Sequence, residues 1–128
     1  MALTQMLSLF LVIAGLFGAA GIALAAAGAH AAPSAGLESA SNILLFHALA
    51  ILGGTALLLE GMVSRQLGFV AIAGWALGTI LFSGDVALRV FLGHRLFPMA
   101  APTGGIILIL AWLVLAAAAL ARAFDHFA

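Results

Sequence analysis

Asp85 and Arg89 stand four residues apart inside a run that is otherwise almost wholly apolar. On a helix that spacing puts both side chains on one face, close enough for an ion pair. Two chemistries follow. In the first the pair is structural, each group lowering the other's desolvation cost. In the second Asp85 carries a proton or a cation, a role the adjacent guanidinium opposes. His47 lies in another apolar run and His30 ends a third. Histidine serves as proton donor, metal ligand or axial haem ligand, and equally as a core residue bonded to backbone or hydroxyl. His30, His47 and Asp85 are the set a divalent metal would use. Ser83 and Thr103 add hydroxyls, so the candidate polar cluster is His30, His47, Ser83, Asp85, Arg89 and Thr103. There is no phosphate-cradling glycine loop, no nucleophile elbow and no His-Glu-x-x-His pair. No catalytic residue, bound metal or cofactor is therefore expected, and the reading is non-enzymatic.

The elements that position these residues follow from composition. Of 128 residues, 66% are hydrophobic and 6% charged, whereas a soluble domain carries about a quarter charged residues. Lipid must be the main solvent. Four arginines balance four acids, which leaves no basic surface for a phosphate backbone and excludes nucleic acid as a partner. With no cysteine, disulfides and thiolate ligands are excluded too. Thr4 to Ala29 is uncharged, and about 20 such residues cross a bilayer. Ala29-His30-Ala31 resembles a signal-peptidase site, but the stretch is too long and lacks a basic leader. Pro33-Ser34 breaks the run. The expectation is an all-α integral membrane bundle of four transmembrane helices with short loops, at about 4–30, 38–60, 66–92 and 103–123, forming one domain over 1–128. Ser39 or Ser41 and Thr103 are the expected N-caps of the second and fourth helices.

Four crossings gather the end of the first helix, the start of the second, the end of the third and the start of the fourth on one side, termed P. All six candidate residues map there. Side C holds Gln5, Glu60, Arg65, Gln66, Arg122, Asp125 and His126. Small residues mark where helices meet in lipid. Ala14, Gly18, Gly21, Ala25 and Gly28 form one stripe; His47, Ala50, Gly54 and Gly61 a second; Gly74, Gly78, Asp85 and Arg89 a third. With Gly84, Gly104 and Gly105, these glycines are the expected packing positions.

Several short strings occur in order along these spans: Gly28-Ala29-His30, Phe46-His47-Ala48-Leu49, Leu77-Gly78-Thr79-Ile80-Leu81-Phe82-Ser83-Gly84, Pro102-Thr103-Gly104-Gly105 and Ala111-Trp112. Through them the chain, from about Leu11 to Arg122, resembles the small four-helix membrane proteins called domain of unknown function 423, or transmembrane protein 256-like. The resemblance implies a multi-pass protein of the bacterial inner membrane and assigns no biochemical activity. The sequence departs from the family pattern at Asp85, where a small hydroxyl residue is common, and at Ala101, where threonine is. Three functional readings stand side by side. The first is lateral association, with membrane lipid and either other membrane subunits or further copies of the chain as partners. The second is a small-solute, ion or proton pathway with a vestibule on side P. The third is a haem-, quinone- or metal-binding redox component.

Overall fold

A computed structural model describes residues 2–30 and 35–125. The Pro33-Ser34 break and His126 lie outside the described residues. Four helices follow in order: α1 (Leu3–His30), α2 (Ala35–Leu59), α3 (Arg65–Leu92) and α4 (Ala100–Asp125). All four are long and apolar enough to span a membrane. At 1.5 Å per residue α1 and α3 reach about 42 Å, more than the roughly 30 Å of hydrocarbon, so their ends stand among the headgroups.

The termini show where local chemistry overrides simple capping. α3 ends at Gly93, whose left-handed φ of 74° lets its N–H donate to the Arg89 carbonyl. α2 starts at Ala35 and α4 at Ala100, each three residues before its expected start. Ser39, Ser41 and Thr103 therefore lie inside their helices and are not N-caps. For α4 the cause is local: Met99 takes a φ of 67° and its carbonyl accepts the Thr103 N–H. Pro102 then falls in the first turn, where its missing N–H costs nothing. Gly61, expected on the α2 stripe, instead forms the turn after α2 with a φ of 66°.

α3 is the hub. It packs along α2 on one side and α4 on the other, while α1 packs along α2 and only touches α3. Among the described residues α1 and α4 share no seam. Close approach explains several glycines. A methyl group built on Gly104 would lie 2.6 Å from the Phe82 amide nitrogen and 2.7 Å from the Gly78 carbonyl oxygen. One on Gly74 would lie 2.8 Å from the Ala111 Cβ, and one on Gly54 would lie 2.9 Å from the Trp75 ring. On α1, Gly21 faces Leu45 at 2.8 Å.

Other expected packing positions behave differently. Gly28 and Gly84 have room for a methyl group at 3.6 and 3.5 Å from their neighbours, and Gly105 at 4.0 Å. Gly18 has open space beside it, and Ala25 is exposed. The correction at Gly18 has a geometric reason: α1 has only α2 as a close neighbour, so a stripe that wraps slightly around α1 leaves the interface. Gly68 is a seam position not anticipated from spacing, 2.7 Å from Leu58. Large exposed aliphatics such as Leu16, Ile22, Ile109 and Leu113 cover the outside, as lipid-facing surfaces require.

Candidate functional site

Asp85 occupies the side P end of α3 and is 1% exposed. Its Oδ2 lies 3.3 Å from the Arg89 Nε, the ion pair expected from their spacing. Its Oδ1 accepts the Leu96 backbone N–H at 2.9 Å. That second bond ties the loop between α3 and α4 back onto α3. A carboxylate accepting a backbone N–H beside a guanidinium is strongly held, and both oxygens are thereby engaged. Ser83, two residues earlier, donates to the Ala40 carbonyl at 3.0 Å and links α3 to α2. Ser41 likewise donates to the Gly21 carbonyl at 2.8 Å, linking α2 to α1 where Gly21 lets the backbones approach.

His47 belongs to a different layer. It lies twelve residues into α2, about 18 Å from the side P end, and is 5% exposed. Its Nδ1 is 2.8 Å from the Ile43 carbonyl, an acceptor, so Nδ1 carries the proton. Its Nε2 then accepts the Trp112 Nε1–H at 3.3 Å. The Trp112 ring is in edge contact with His47 at 6.2 Å and packs against Trp75 at 4.6 Å. With both ring nitrogens engaged, His47 has no lone pair aimed at a metal or haem. Two buried donors near this layer, Trp75 Nε1 and Thr79 Oγ1, have no hydrogen-bond partner among the described residues. Neither tryptophan is marked as a site residue by spacing: Gly74-Trp75 reads as a packing seam, and Ala111-Trp112 enters only through the family resemblance.

The six candidate residues therefore do not form one cluster. Asp85 and Arg89 pair at side P, and Ser83 faces Ala40 a little deeper. His47 sits near mid-bilayer against Trp112, while His30 and Thr103 are exposed at helix ends. Counting crossings assigns all six to side P, but α2 carries His47 three turns inward to the middle of its helix, equally far from both ends. Among the described residues no three His, Asp or Glu side chains are arranged to hold a metal ion. The three-ligand set of His30, His47 and Asp85 is not assembled.

Side C is also more organised than its residue types suggested. The Arg122 Nε donates to the Gly61 carbonyl at 2.8 Å, and the Ser64 N–H donates to the Ala118 carbonyl at 2.9 Å. The loop between α2 and α3 is thus fastened to α4.

The model of the protein family described as protein of unknown function (DUF423) matches residues 24–105. The chain belongs to the DUF423 family. Comparison with curated proteins and with solved structures finds no match. The DUF423 match takes in the whole of α2 and α3 and ends at Gly105, just after the Gly78–Gly104 approach. It contains all six candidate polar residues but excludes Trp112, the donor to His47.

Proposed function

We propose that this DUF423 protein works by lateral helix association in the bacterial inner membrane, as a homo-oligomer or as a non-enzymatic accessory subunit of a larger membrane complex. One observation carries the reading. Because α1 only touches α3, an apolar groove of about 440 Å³ runs between them, with Ala20 and Ala23 on one wall and Gly84 and Ala87 on the other. Small residues let a further helix approach closely, and in lipid such approach is the main source of association. Thr79, which lines the same groove, keeps a hydroxyl without a partner among the described residues. The engaged state of Asp85, Ser83 and His47 supports the same reading, since these groups already serve the fold.

The absence of cysteine makes the test clean. Ala23→Cys and Ala87→Cys each introduce one thiol, and a thiol-reactive cross-linker applied to native membranes is expected to trap a discrete product whose composition mass spectrometry reads. Exclusively monomeric protein in native nanodiscs, with no cross-linked product from either variant, would overturn the proposal.

A second reading has its own observation. A cavity of about 420 Å³ opens on side P between α1 and α2, with Glu38, Ser41 and Asn42 in its wall. It suits the vestibule of a small-solute or ion pathway. Flux into liposomes containing the purified chain, lost in Glu38→Gln, would place that reading ahead of association.

A further inference from the structure

The side C end carries two adjoining concavities that no part of the association reading uses. The first, of about 320 Å³, is bordered by Arg65, Arg122, Ser64 and Asp125, with Leu3 and Leu58 on its inner wall. Its two cations come from different helices. Arg65 opens α3 and is exposed, while Arg122 lies in the last turn of α4. The Arg122 Nε bond to the Gly61 carbonyl holds that guanidinium across the loop. Asp125 shares the wall, yet among the described residues neither arginine forms an ion pair with it. The Ser64 hydroxyl makes no capping bond. The lining carries one net positive charge, at the level where helix ends meet the headgroups.

The second concavity, also about 320 Å³, runs between α1 and α2; five leucines from Leu3 to Leu59 and Ala56 form most of its wall, and Thr4, Ser8 and Thr55 the rest. It shares Leu3 with the first, and Leu59 directly follows Leu58. From Leu59 to Leu52 it descends about 10 Å into the bilayer. A basic cavity at headgroup depth that opens into an apolar groove at acyl depth has the polarity profile of one amphiphile.

We infer that the two concavities form a single binding site for an anionic glycerophospholipid. Its phosphate lies between Arg65 and Arg122, and one acyl chain follows the groove past Ala56. Charge complementarity selects the class. One phosphodiester charge neutralises the surplus on the lining, and a cationic headgroup such as choline would restore it. Guanidinium suits the task because its forked N–H groups match phosphate oxygens.

The test uses the full chain in mild detergent, with thermal melting followed as dioleoyl phosphatidylglycerol, dioleoyl phosphatidylcholine or inorganic phosphate is added. The phosphatidylglycerol is expected to bind about thirtyfold more tightly than the phosphatidylcholine, each arginine contributing roughly fivefold. Arg65→Gln with Arg122→Gln should erase that preference. Ala56→Phe should weaken both lipids and leave the preference in place. If the double variant does not fold, Arg65→Gln alone must reduce the preference about fivefold. A preference that survives these arginine changes would overturn the site, as would lipid affinity unchanged in Ala56→Phe. Equal stabilisation by inorganic phosphate would assign a free-anion site and overturn the lipid.

Discussion

Where α3 meets α4, Gly104 stands so close to the opposite backbone that a methyl group on it would come within 2.7 Å of the Gly78 carbonyl oxygen. On α1, Gly18 belongs to a stripe of equal regularity and has nothing beside it. The difference lies in the neighbours. α4 has a partner along its length and cannot yield, because the obstructing atoms at Gly104 are backbone. α1 has α2 on one side only, and its nearest obstruction, at Gly21, is the Leu45 side chain and not backbone. A small residue therefore matters in proportion to what faces it, and glycine spacing alone does not rank helix seams.

The largest expected effect tests the rigid side of that contrast. Gly104→Leu should prevent α3 and α4 from packing and cost more than about 3 kcal/mol, beyond the 1–3 kcal/mol usual for overpacking, because backbone cannot move aside. Loss of folded yield in detergent is the readout. Stability close to that of the parent chain would remove the claim that this seam is backbone-limited.

An intermediate effect is expected at the side P clamp, where the same α3–α4 unit is closed by charge rather than by close approach. Arg89→Leu leaves the buried Asp85 carboxylate with only the Leu96 N–H, and Asp85→Leu releases the loop. Each should destabilise by about 1–3 kcal/mol, at the low end for Arg89 because that side chain is 40% exposed. The double replacement should recover part of the Arg89→Leu loss, since no unpaired charge then remains. A double variant that melts well below both singles would show that the pair does more than satisfy itself.

The smallest effect tests the permissive side. Gly18→Ala should leave folding intact and raise the melting temperature slightly, alanine being favoured over glycine inside a helix by up to about 1 kcal/mol. A clear loss of stability would mean that the face of α1 near Gly18 is packed after all.

Much of the fold was legible because its signals are local. Four apolar runs separated by Pro33, Glu60 to Gln66 and the Gly93 turn specify four spanning helices, and the spacing of Asp85 and Arg89 specifies their ion pair. The candidate site was legible only in part. Its residue types are plain in the sequence and counting crossings assigns them to side P, but the Leu96 N–H on Asp85 comes from a loop eleven residues away. The Trp112 donor to His47 comes from a helix sixty-five residues away. Neither distance has a periodicity that marks it.

Lipid as the solvent and four crossings follow from composition and order, because the cost of placing backbone and charge in hydrocarbon depends on each segment's own residues. Which stripe becomes a seam, how deep His47 sits, and whether two arginines on separate helices share one cavity depend on the rotation and register of helices against each other. Those are set by side-chain shapes meeting across the bundle, and only the packed molecule brings them together.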